Sequence, residues 1–183
     1  MLNLATALVA VGALYFLLTE RVLPLLQSEP VRVHEGGTLT ESFAFRPLGM
    51  ERPKTVDLRH IPDEWPVLLL VFNSTCPACY ANLPAWRRAI DAAGRRVTVL
   101  AVAIESDRSA AQSYATRELP RALAVEPVEP MELTGTLGID VVPYTALVGT
   151  GGSLEFSRPG RLDSADVASL TRALGGPGGH PNP

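Results

Sequence analysis

Cys76 and Cys79 are the only cysteines among the 183 residues, and only Pro77-Ala78 separates them. Two thiols three positions apart can make and break a disulfide. The attacking species is a thiolate, and a free cysteine is mostly protonated near neutral pH. The first turn of a helix carries unpaired backbone N–H groups and the positive end of the macrodipole, and both favour the anion. The spacing predicts Cys76 at a helix cap and Pro77 at the first helical position, where its missing N–H matters least. Cys79 falls in the same turn. Cys76 is therefore expected to be exposed, favoured as a thiolate and the attacking thiol. Cys79 is expected to be more buried and to resolve the mixed disulfide.

Two other uses of the pair are weaker. A structural disulfide across two residues closes so short a loop that it removes little chain entropy. Half of a zinc site lacks its second half, because His34, His60 and His180 lie far apart and none has ligand spacing to the cysteines. No metal and no cofactor are expected.

The elements around the pair follow from pattern. Val67 to Phe72 (VLLLVF) is an unbroken apolar run with the length and composition of a buried strand. After the cysteines, Tyr80, Leu83, Trp86 and Ile90 recur at helical spacing as a packing face, with Pro84 inside the helix as a source of a kink and Gly94 as its end. Residues 97–104 (VTVLAVAI) form a second apolar strand suited to a parallel position. A helix over 109–119 stops at Pro120, a short strand is expected at 122–125, and a short helix at 131–137. Pro143 heads a strand running to Val148, where a proline belongs at an edge or irregular junction. Residues 154–156 return as a hairpin, and Asp163 or Ser164 caps a last helix through Leu174. Upstream, 42–46 and 54–58 read as a hairpin.

The outer segments differ in kind. Residues 2–18 carry no charged side chain and span about 26 Å as a helix, close to a hydrocarbon core of about 30 Å. The apolar pattern resumes after Glu20-Arg21. No polar face, basic leader or small-residue cleavage site accompanies the run, so an uncleaved membrane anchor over 1–26 is expected. Arg21 and Arg32 follow it and no basic residue precedes it, too small a bias to set orientation. Residues 27–41 read as a linker, 42–175 as the globular domain and 176–183 as a disordered tail. A net charge of −3 gives no footprint for nucleic acid.

Strand, Cys-x-x-Cys at a helix start, Pro84 five residues after the second cysteine, and Val142-Pro143-Tyr144-Thr145 some sixty residues on resemble the thioredoxin superfamily. The N-terminal hairpin, the insertion over about 109–137 and the anchor resemble its TlpA/ResA branch, with some MauD-like character. The resemblance implies an α/β thioredoxin-like fold, a central mixed sheet flanked by helices, with an N-terminal hairpin and a single transmembrane helix. It implies a membrane-anchored, extracytoplasmic thiol:disulfide oxidoreductase with Cys76 as nucleophile and Cys79 as resolver. Pro143 would be a cis-proline against the disulfide, with the backbone of Val142 free to pair with an extended substrate segment. Thr75 and Pro77 would flank the substrate, and Asn82, Pro84 and Thr145 would support the site. Protein disulfides, such as those of cytochrome c or metalloenzymes awaiting haem or copper, would be the substrates, and a membrane protein the electron donor or acceptor.

Departures accompany the likeness. Thr75 replaces a common aromatic residue. Asn82 and Leu70 stand where relatives carry acids, so the usual carboxylate proton acceptors are missing from the dithiol. Two further readings remain open: a peroxiredoxin-like peroxidase, for which Asn73 and Leu69 stand where its Thr and Pro belong, and a non-catalytic binding module.

Overall fold

The computed structural model describes residues 33–39, 43–49, 56–57 and 66–175. Its elements in order are β1 (Ala44–Pro47), β2 (Val56–Asp57), β3 (Val67–Phe72), α1 (Pro77–Ala93), β4 (Thr98–Ala103), α2 (Arg108–Glu118), β5 (Leu123–Pro127), α3 (Pro130–Leu137), β6 (Tyr144–Val148), β7 (Leu154–Pro159) and α4 (Ser164–Leu174). One sheet runs β2-β1-β5-β4-β3-β6-β7. β3, β4 and β5 are parallel, and the flanking strands are antiparallel to their neighbours. The strand expected at 122–125 is β5, which sits inside the sheet, and the expected N-terminal hairpin is the β1–β2 pair.

Every residue of β3 is buried, and the pleat explains why the run has no polar side. Leu68, Leu70 and Phe72 join one core, beneath α1, α2 and α4. Val67, Leu69 and Val71 join a second core on the other face, with Leu133 and Leu137 of α3. A strand packed on both faces is the base from which the loop to Cys76 departs.

α1 begins at Pro77, holds Pro84 in its interior and closes at Gly94, whose φ of 60° suits a residue without Cβ. Tyr80 is 40% exposed, so it stands at the margin of the expected packing face. Its ring lies edge-on to Tyr114 of α2, with centroids 5.0 Å apart. α4 has the expected Asp163 cap, reciprocated by Asp166 in a capping box.

Residues 33–39, part of the expected linker, are fastened to the domain. Gly36 N–H donates to the carbonyl of Leu154, Leu39 N–H to Gly152, and Leu154 N–H to Gly37. Among the described residues no helix is long and apolar enough to cross a membrane. The expected anchor at 1–26 and tail at 176–183 lie outside the described residues.

Candidate active site

Parallel pairing of β3 with β4 brings the residues after Phe72 and after Ala103 to the same edge of the sheet. Antiparallel pairing of Val71 with Tyr144 brings the head of β6 there as well. This register joins Cys76 to Pro143 across 67 positions of sequence. Three separate strand ends therefore meet at the dithiol.

Cys76 is the N-cap of α1. Cys79 N–H donates to Cys76 Sγ at 3.4 Å, so the sulfur occupies the place where a capping oxygen normally sits. Cys76 Sγ also donates to the carbonyl of Val142 at 3.6 Å. The Val142–Pro143 peptide bond is cis. Cys76 was expected to be exposed; it is half-buried, because the Val142–Pro143 turn lies against it. Cys79 is fully buried, and both cysteines are free thiols.

Burial is the largest influence on Cys79 and raises its thiol to about 12. The Asn73 backbone N–H pulls in the opposite direction, while Cys76 and Glu105 push the thiol further up. A sulfur this reluctant to ionise suits the second step of an exchange, in which attack is intramolecular.

The approach loop is built by side-chain caps. Asn73 Oδ1 accepts from Thr75 N–H at 2.9 Å and from Thr75 Oγ1 at 2.7 Å. Thr75 and Pro77 are exposed on either side of Cys76. Behind the helix, Trp86 Nε1 donates to the buried Thr145 Oγ1 at 2.8 Å, pinning α1 to β6. Asn82 is buried one turn beyond Cys79, and its Oδ1 accepts from Leu162 N–H at 2.9 Å. Its role here is to tie α1 to the loop before α4. Pro84 lies deeper in α1.

Two residues of the site went unread in the sequence. Glu105 lies two residues past the end of β4, and its carboxylate accepts from Ser74 N–H at 2.6 Å and Ser74 Oγ at 2.7 Å. The usual carboxylate positions are indeed held by Leu70 and Asn82, and Glu105 brings a carboxylate to the loop before Cys76 from the far end of the neighbouring strand instead. An acid immediately after an apolar run parallel to β3 was the available signal. Tyr114 stacks on Phe72 at 4.7 Å between centroids, and burial pushes its hydroxyl above the ordinary tyrosine range. Nothing in the helical pattern of α2 distinguished it from a core residue.

No family model matches the sequence, and comparison with curated proteins finds no match. Solved structures do match. A secreted Mycobacterium tuberculosis disulfide oxidoreductase is 16% identical, with a TM-score of 0.57 over 72% of this chain and 95% of that one. The exposed lipoprotein thioredoxin Etrx1 from Streptococcus pneumoniae is 20% identical, with a TM-score of 0.58 over 74% and 98%. A thio-disulfide isomerase from Thermus thermophilus is 19% identical, with a TM-score of 0.59 over 78% and 98%. The chain has the thioredoxin-like fold, a mixed sheet flanked by helices, and these structural neighbours are described as thiol–disulfide proteins.

Proposed function

We propose that this thioredoxin-like chain is a membrane-anchored, extracytoplasmic thiol:disulfide oxidoreductase acting on protein disulfides. The observation that carries the reading is the pairing of a half-buried, helix-capping Cys76, faced by the Val142 carbonyl at 3.6 Å, with a buried Cys79 in the same turn. Cys76 as thiolate attacks one sulfur of a target disulfide, forming a Cys76–target disulfide and releasing the other target sulfur as thiolate. Cys79, after losing its proton, attacks Cys76 Sγ and expels the second target sulfur. Two electrons leave the protein as the Cys76–Cys79 disulfide forms, and the target gains two thiols with their protons. A reducing membrane protein then restores the pair.

Val142 supplies backbone for an extended target segment, and the exposed Thr75 and Pro77 border the approach. Cysteine pairs of maturing cytochrome c or metalloenzymes fit this substrate class. The extracytoplasmic assignment rests on the apolar run at 2–18, with support from neighbours described as secreted and as an exposed lipoprotein.

The test is reduction of a disulfide-bonded protein such as insulin by the full chain, with dithiothreitol as the source of electrons. The wild type accelerates the reaction and Cys76→Ser abolishes the acceleration. A wild type no faster than dithiothreitol alone refutes the assignment. Removal of residues 1–26 is expected to move the protein from the membrane fraction to the soluble fraction, and retention in the membrane would refute the anchor.

A further inference from the structure

The loop between β7 and α4 borders the dithiol and takes no part in the exchange steps. The β6–β7 ladder pairs Tyr144 with Pro159 and continues one step further, where Gly160 N–H donates to the Pro143 carbonyl at 2.7 Å. The next residues along the two chains are Val142, whose carbonyl faces Cys76 Sγ, and Arg161. Leu162 then binds α1: its N–H donates to Asn82 Oδ1 at 2.9 Å, one turn beyond Cys79. Leu162 is buried and Gly160 half-buried, whereas Arg161 is exposed. Arg161 is thus the outward residue of a short loop held at both ends, by the Val142–Pro143 turn and by the dithiol helix.

The guanidinium of Arg161 has no partner among the described residues. The anchor of its loop on α1 is the uncharged amide of Asn82. The acids that follow it are engaged: Asp163 caps α4 by accepting from Asp166 N–H, and Asp166 holds Arg158 at 2.9 Å. Around the dithiol, the exposed Thr75, Pro77 and Val141 carry no charge, and Asp140 has a partner of its own within the chain. A target segment laid along Val142 therefore meets an unpaired cation close to the attacking sulfur.

We propose that Arg161 is a specificity-determining residue of this site: it selects protein disulfides that carry a carboxylate side chain beside the attacked cysteine. The inference rests on the oxidoreductase reading and names a substrate class within it. A target carboxylate pairs with the guanidinium, whose planar fork matches both oxygens, as the segment settles against Val142. Charge at the rim of an interface acts mainly on encounter, so the preference belongs to kcat/KM and weakens with salt. The sulfur chemistry is unchanged.

The test uses the full chain and two disulfide-bonded peptides that differ only in having Asp or Asn beside one cysteine. The readout is the Asp-to-Asn ratio of kcat/KM, with dithiothreitol as the source of electrons and its own rate subtracted. Wild type is compared with Arg161→Gln, Arg161→Glu and Arg161→Lys. At low salt the wild-type ratio is about threefold to fivefold above that of Arg161→Gln, the size expected of one partly solvated ion pair. Arg161→Glu falls below Arg161→Gln, and Arg161→Lys stays on the wild-type side of it. At about 1 M salt, where charges are screened beyond about 3 Å, the ratios converge. Arg161→Lys against Arg161→Glu makes the same comparison if Arg161→Gln does not fold. Equal ratios across the folded proteins at low salt overturn the proposal, and so does a difference that salt leaves intact. Such a failure leaves the insulin activity and its loss in Cys76→Ser standing, whereas loss of the oxidoreductase reading would appear as a wild type inactive toward insulin and both peptides.

Discussion

In the proposed exchange, the rate at which Cys79 would resolve a mixed disulfide is set by where that sulfur sits. Its side chain is wholly buried, and desolvation is the main cause that carries the thiol from 9.0 to about 12. When Cys76 is bonded to a target it carries no charge, so its own contribution lapses while burial remains. A thiol titrating near 12 has about a thousandfold less thiolate at neutral pH than one titrating near 9. Its anion is the stronger nucleophile: with a Brønsted coefficient of about 0.4–0.5, three pH units restore roughly twentyfold. The balance is resolution about fiftyfold slower than an ordinary thiol at the same position would give. The rate should rise about tenfold per pH unit from about pH 6 to about pH 11, without levelling. The assay loads Cys76 with a chromogenic aromatic thiol and follows its release by stopped flow, with Cys79→Ala as the blank. A plateau reached by about pH 10 would mean that Cys79 ionises as an exposed thiol does, and the reasoning from burial would be wrong.

Other outcomes follow from the supports of the site. Trp86→Phe removes the indole donor to the buried Thr145 hydroxyl and should lower unfolding free energy by about 1–3 kcal/mol, read from the denaturant midpoint. Adding Thr145→Val should recover part of that loss, because neither partner is then left polar. Asn82→Leu strands the Leu162 N–H, at a loss near the lower end of about 1–3 kcal/mol because the buried Asn82 Nδ2 already lacks a partner. Its turnover should keep the wild-type pH profile, since Asn82 ties helices and moves no proton. Stability of the reduced protein should fall at alkaline pH. The unfolded chain releases the Cys79 proton near 9 and the folded chain only near 12, so the contribution is complete below about pH 9 and is lost toward about pH 12. It amounts to at most about 4 kcal/mol, and urea unfolding of Cys79→Ala should lack it.

The strands and helices were legible because their patterns are uninterrupted. VLLLVF admits no solvent face, and the structure gives it none. Pro120 and Gly94 end helices for local steric reasons that need no tertiary information. The short segment at 122–125 showed only a weak strand signal, and its place between β1 and β4 depends on pairing partners far away. The cysteine pair could be read because both members lie in one helical turn. Glu105 and Tyr114 could not: each reaches the dithiol through the sheet register or through helix packing, and each looks locally like a surface acid or a core aromatic. The half-burial of Cys76 has the same origin, since the covering carbonyl comes from Val142.

The most direct measurement is disulfide trapping by the full chain in the cells that make it. Cys79→Ala should accumulate a covalent protein adduct that reductant releases, and Cys76→Ala should accumulate none, because the buried Cys79 cannot reach a target sulfur. An adduct found with Cys76→Ala and absent from Cys79→Ala would contradict the assignment of Cys76 as the attacking sulfur.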